Sequence, residues 1–257
     1  MVDNERALKV TEQPFRILGT PERNGLLIVG DHASNDVPRD VDLGIQAEEL
    51  DRHIAWDIGV AAVAEHIVAN YRCAAFLGNV SRLVTDLNRY PADADVVPLQ
   101  SDGLFIPGNH LSAEERQARI ERHFVPYHDK LSYLLQDQRP ALILSLHSFT
   151  PSLASRPDEL RPWEVGVLYN DAEAPSKHAI SFLDSAGIHV GDQLPYSGKV
   201  LNATMNRHAE ANGIPYIGIE LRQNEVDHRA GQERFARILT EKCHYVSEKL
   251  GLGLQKP

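Results

Sequence analysis

Apolar residues along this chain form short uninterrupted runs separated by stretches of helical spacing, the pattern of strands alternating with helices. Gly25 to Gly30 is a continuous apolar run and predicts a buried strand, since a strand covered on both faces shows no polar alternation. It breaks into a polar stretch from Asp31 to Pro38. Trp56, Val60, Val63 and Ile67 then recur at helical spacing, predicting an amphipathic helix from about Ala55 to Asn70. A strand through Ala74–Leu77 follows, with a second short one near Leu83 and Val84 that runs into Asp86–Arg89. Residues 91–110 contain three prolines and little periodicity, and a loop of that length is expected to be functional or mobile. Ser112 with Glu115 forms a capping box, opening a long helix marked by Ile120, Phe124, Tyr127, Leu131 and Leu134 and kinked at Pro126. Ala141–Leu146 is the clearest buried strand and ends in His147–Pro151. Beyond it the pattern predicts a strand over Val165–Tyr169, a helix over Ser176–Ser185 and a helix over 202–212. A strand over Ile214–Leu221 carries Glu220, and Phe235, Leu239, Cys243, Val246 and Leu250 mark one face of a final helix. The expected fold is an α/β sandwich on a largely parallel sheet.

Composition narrows the function classes. The 257 residues carry 26 Lys+Arg against 36 Asp+Glu, a net charge of -10, which argues against a nucleic-acid-binding surface. Apolar runs fall far short of the roughly 20 residues a membrane helix needs. Met1–Arg6 is polar and acidic rather than an apolar signal region, so a soluble, cytoplasmic protein is expected. No repeat or Gly/Ser-rich linker divides the chain, and one domain over 1–257 is expected. Two cysteines, Cys73 and Cys243, supply neither a disulfide framework nor a cysteine-based zinc site. Of the 12 histidines, His66, His123, His128, His178, His208, His228 and His244 fall in helical or polar segments and are expected at the surface.

The candidate chemistry sits where strands end. Asp31-His32, His147-Ser148 and Glu220-Leu221-Arg222 each close an apolar strand, and in a parallel sheet such ends gather on one edge. A histidine there suits metal binding, because the strand fixes the backbone while imidazole reaches into the cleft. Each alone is equally explained as a hydrogen-bonded structural residue; two together with carboxylates favour a site. Arg82, Asp86, Asn88 and Arg89 form a second set, able to grip a carboxylate bidentately or to make a surface ion pair. Glu220 lies inside an apolar run and is either a general base or the partner of Arg222, which alternation places on the same strand face.

Taken together, Asp31-His32-Ala33-Ser34-Asn35, Asp86-Leu87-Asn88-Arg89, Leu146-His147-Ser148-Phe149-Thr150-Pro151, Pro195-Tyr196-Ser197-Gly198 and Ile219-Glu220-Leu221-Arg222-Gln223-Asn224 resemble the N-formylglutamate amidohydrolase family, over roughly residues 25–225. That family is similar to zinc carboxypeptidases and aspartoacylases. The resemblance implies a three-layer α/β/α sandwich with a mostly parallel mixed sheet, phosphorylase/hydrolase-like. It implies zinc or another divalent metal on His32 and His147, with Asn88 and Arg89 holding a substrate carboxylate. Arg82 is then a substrate-polarising residue and Glu220 the general base, with Asp86, Ser148 and Arg222 in the substrate-binding set. The wider group has a Glu three residues after its first His; this chain has Asn35, a weak ligand. Asp57 is the candidate third ligand, against its alternative role as a helix N-terminal acid.

The implied activity is metal-dependent hydrolysis of an N-acyl amino acid, N-formyl-L-glutamate to formate and L-glutamate, in histidine catabolism. The implied partner is a small molecule with a free carboxylate, with neither nucleic acid nor membrane. Two alternatives stay open: a zinc carboxypeptidase or amidase on a small peptide or cell-wall fragment, and a metal-free binding protein on the same fold.

Overall fold

A computed structural model describes residues 13–254, so the polar Met1–Arg6 stretch lies outside the described residues. The chain opens with β1 (Phe15–Gly19) and β2 (Leu26–Gly30), then α1 (Val60–Asn70) and β3 (Ala74–Gly78). A two-stranded hairpin, β4 (Gln100–Ser101) and β5 (Leu104–Phe105), precedes α2 (Ala113–Arg119), α3 (Val125–Gln138) and β6 (Leu142–Phe149). The second half contains β7 (Val165–Leu168), α4 (Glu173–Ser185), β8 (Val190–Asp192), α5 (Ala203–His208), β9 (Tyr216–Arg222) and α6 (Arg229–Leu250).

Seven strands form one mixed sheet in the order β1-β3-β2-β6-β9-β7-β8. The central four, β3, β2, β6 and β9, are mutually parallel, while β1 and β7 run antiparallel to their inner neighbours. Alternation along the strands divides the core in two. Ile28, Leu144 and Ile217 face a layer built from α1, α4 and α6, where Cys243 packs as expected. Leu27, Ile143 and Tyr216 face α3 and Met205 of α5. The arrangement is a three-layer α/β/α sandwich.

After β2 the chain crosses by α1 to β3 on one side; after β3 it returns by α3 to β6 on the other. This reversal opens a crevice at the C-terminal ends of β2 and β6, the place where such sheets bind ligands. Register then fixes which residues meet there. His147 on β6 stands directly opposite Glu220 on β9, so both side chains share a face of the sheet.

Several local expectations are corrected. Leu83–Val84 is no strand: Ser81 Oγ accepts from the Leu83 amide, and the segment turns, burying both apolar side chains. The expected long kinked helix is two helices joined by a π-turn, Ile120–Phe124, which lets Pro126 enter α3 near its start without a lost bond. The Ser112–Glu115 capping box is present in both directions. The 91–110 loop contains the β4–β5 hairpin. His123, His128 and His208 are buried, not at the surface. No helix among the described residues is long and apolar enough to cross a membrane.

Candidate active site

His32 follows β2 by two residues, and its carbonyl accepts from the Asp57 amide at 2.9 Å, tying the segment before α1 to the strand end. This contact brings Asp57 to the two histidines. Asp57 Oδ2 lies 2.9 Å from His147 Nδ1 and 3.4 Å from His32 Nδ1. All three residues are buried, and their donor atoms lie within 4.8 Å of one another. Asn35, the position of the family departure, turns away, donating to the Leu50 carbonyl at 2.8 Å.

The outward nitrogens of both rings are held by carboxylates. His32 Nε2 sits 2.7 Å from Asp86 Oδ1, and His147 Nε2 sits 3.3 Å from Asp31 Oδ2. Asp31 is itself fixed by the Tyr127 hydroxyl at 2.7 Å and by Thr204 Oγ1 at 3.1 Å. Such carboxylates orient metal-binding imidazoles and raise their basicity, leaving the opposite nitrogen for the ion. Burial favours neutral rings, and Arg82 also lowers His32, but neighbouring carboxylates raise both His32 and His147. Burial alone would raise Asp57, yet the His32 charge and the His147 bond hold it far below the usual carboxylate range.

A divalent cation fits this cluster on two grounds. His32 Nδ1 is buried and makes no hydrogen bond, which is costly unless something accepts its lone pair. Tetrahedral zinc ligands stand about 3.3 Å apart, a spacing that falls between the 2.9 Å and 3.4 Å from Asp57 Oδ2 to the two Nδ1 atoms. Charge points the same way: Asp31, Asp57 and Asp86 are buried together, with Arg82 paired to two of them and Arg89 at the edge of Asp86.

Arg82 donates to Asp86 Oδ2 at 2.9 Å and to Asp57 Oδ1 at 3.4 Å, with a quarter of its side chain exposed to the cavity. Asn88 gives its Oδ1 to the Thr204 amide at 3.0 Å, leaving its amide donors for the chamber it lines. Arg89 Nη1 donates to the Asn88 carbonyl at 2.9 Å, and Nη2 lies 3.8 Å from Asp86. Glu220 completes the chamber. Burial pushes its carboxyl up to about 7, opposed by the His147 charge and reinforced by Asp57, the range suited to proton transfer near neutral pH.

Three residues expected in the substrate-binding set are engaged with protein partners. Asp86 bonds to His32, Arg82 and the Asn88 amide and also borders a neighbouring cavity. Ser148 donates its hydroxyl to the Ile58 carbonyl at 2.8 Å, and its amide donates to Asp57. Arg222 turns away and binds the Pro162 carbonyl, Asn224 and Glu225. It is therefore not the partner of Glu220. Residues without a predicted role also line the chamber. Tyr196 is held by Arg161, whose Nη1 donates to its hydroxyl at 2.9 Å. His53 lines the same chamber, with Nε2 3.1 Å from Asp102 Oδ2. The Pro195–Gly198 motif was the one sequence signal for Tyr196; His53 had none.

Fold and site together define a three-layer α/β/α protein whose crevice holds a buried His–Asp–His cradle with a carboxylate beside it. The family model described as N-formylglutamate amidohydrolase matches residues 24–226, and the chain belongs to that family, whose members are hydrolases acting on carbon–nitrogen bonds other than peptide bonds. The crystal structure of a gene product from Agrobacterium tumefaciens is similar at 28% identity, covering 93% of this chain and 96% of that one, with a TM-score of 0.86. That of an N-formylglutamate amidohydrolase from Ralstonia eutropha shares the fold at 19% identity, covering 94% and 99%, with a TM-score of 0.71. None of the curated proteins matches.

Proposed function

We propose that this chain hydrolyses N-formyl-L-glutamate to formate and L-glutamate, with zinc held by His32, Asp57 and His147. The reading places the enzyme in the cytoplasm, in histidine catabolism. The observation that carries it is the Nδ1 of His32, buried without a hydrogen bond and facing Asp57 in a cradle that Glu220 borders. A bound divalent cation supplies the Lewis acidity that makes water nucleophilic near neutral pH.

The chain's own residues do the rest. Asn88 and Arg89 grip a substrate carboxylate through an amide and a planar guanidinium fork, setting the scissile amide between Arg82 and Glu220. Glu220 takes the proton of the attacking water and returns it to the amine nitrogen as the C–N bond breaks. Arg82 stabilises the negative charge that develops on the acyl oxygen, held in place by Asp57 and Asp86 without further reorganisation. Tyr196, fixed by Arg161, closes the wall and excludes water.

The test is metal analysis of the purified protein with a formate-release assay before and after chelation. One equivalent of zinc per chain, loss of formate release on chelation and recovery on zinc addition are expected. A zinc-loaded protein that releases no formate from N-formylglutamate overturns the reading.

A further inference from the structure

Beside the metal chamber lies a second one that the proposed reaction does not use. The metal chamber has a volume of about 150 Å³ and the neighbouring one about 500 Å³. They share two walls, Arg82 and Arg89. The larger chamber is lined further by Gln100 and Ser101 of the β4 strand, by Asp102 at the hairpin turn and by Ser155.

The hairpin is anchored rather than loose. Asp102 accepts from the Ala154 amide, the Ser155 amide and Ser155 Oγ, the amides at 2.8 Å. Its remaining approach is to His53 of the metal chamber. These donors satisfy the Asp102 oxygens, and Arg82 pairs with Asp86. What the chamber then offers a ligand is the free side of the Arg89 guanidinium and the Asp95 carboxylate, together with amide and hydroxyl groups. That is the chemistry of a peptide unit and a polar side chain rather than of a hydrocarbon.

We propose that this chamber is a second subsite, for an amino-acid residue joined through the carboxyl group of the acylated one. The inference rests on the proposed hydrolytic reading and extends its substrate class from N-acyl amino acids to N-acyl dipeptides. Arg89 supports this direction, because the wall that meets the carboxyl group of the acylated residue is also a wall of the larger chamber. The reaction stays the same: water adds its oxygen to the acyl carbon, the acyl C–N bond breaks, and the proton goes to the dipeptide's amino nitrogen. Formate and a free dipeptide leave. Binding energy from the second residue is remote from the chemistry and serves to orient the amide.

The experiment compares zinc-loaded enzyme on three compounds: N-formyl-L-glutamate, N-formyl-L-glutamyl-L-glutamine and N-butyryl-L-glutamate. The dipeptide is expected to show a kcat/KM about tenfold above N-formylglutamate. Gln100→Trp fills the second chamber from an exposed position that does not border the metal chamber. It should remove the dipeptide's advantage while leaving N-formylglutamate within about twofold of wild type. Asp95→Trp, also exposed and on the same wall, repeats the test should the first variant fold poorly by circular dichroism. Hydrolysis of N-formylglutamate without hydrolysis of the dipeptide overturns the subsite while leaving the proposed activity standing. An advantage that follows the butyryl group, or equal slowing of both formyl compounds by the tryptophans, overturns it as well. If neither formyl compound is hydrolysed, the activity itself fails and the subsite fails with it.

Discussion

At the scale of single residues, the site is organised by which atom of each side chain faces which neighbour. Both imidazoles present Nδ1 to Asp57 and Nε2 to an outer carboxylate. Asp86→Asn should therefore keep the fold but weaken zinc affinity about 10- to 100-fold, read by competition with a chromogenic chelator. Unchanged affinity would mean that Asp86 serves only Arg82. Glu220 and Arg89 should fail in different ways. Glu220→Gln keeps shape and loses roughly 10²–10⁴-fold in kcat. Arg89→Lys mainly raises KM, since an ammonium cannot reproduce the fork and a grip equal in ground and transition states appears in KM. Steady-state kinetics on N-formylglutamate separate the two. A Glu220→Gln enzyme at the wild-type rate would make the carboxylate structural, and the structure holds no Arg222 pairing to explain such a role.

Elements place those residues, and here the sequence was legible where burial is complete. The runs that became β2, β6 and β9 are apolar because each is covered on both faces, and their ends carry His32, His147 and Glu220 as expected. The edge strands β1 and β8 are short and half-buried, so neither shows a continuous run. Leu83 and Val84 look like strand residues, but the Ser81 hydroxyl captures the local amide, which periodicity does not register. Asp57 was legible as a candidate because Asn35 is a weak ligand, which leaves a nearby carboxylate to complete the set. The outer roles of Asp31 and Asp86 were not, since pairing across 116 or 54 positions of chain leaves no local spacing to read. Gly78, at the end of β3, tests this placement. An added Cβ would meet the Asp31 carbonyl oxygen at 2.1 Å, displacing the backbone that leads into His32. Gly78→Ala should cost about 1–3 kcal/mol in urea denaturation and lower zinc affinity as well. A stable variant with weakened zinc binding would show that the strand end positions the ligand without supporting the fold.

Across the whole molecule, the layer of α3 and α5 supports the cradle through a buried histidine pair. His128 Nε2 donates to the Leu87 carbonyl at 3.0 Å, so its Nδ1 accepts from His208 Nε2 at 2.8 Å; the rings stack 4° from parallel. Ser132 Oγ lies 3.3 Å from the remaining nitrogen of His208, leaving each ring with one proton. The Leu87 carbonyl is also 3.2 Å from Thr204 Oγ1, which touches Asp31. Burial, then the neighbouring His208 charge, lowers His128 to about 3; burial, then Arg207, lowers His208 to about 4. Because the folded values lie below the unfolded value of about 6.5, the unfolded chain binds more protons between them. The pair's contribution is thus fully present above pH 6.5 and is lost progressively as the pH falls toward 4. His32 and His147 shift upward in the metal-free protein and act in the opposite sense, so the comparison needs a variant lacking only the pair. Melting temperatures of chelator-treated wild type and the double variant His128→Gln/His208→Gln, measured from pH 7 to 4.5, isolate it. Wild type should lose stability relative to the variant as the pH falls. A gap that stays constant across that range would mean that the two rings take up protons in the folded protein as readily as in the unfolded chain.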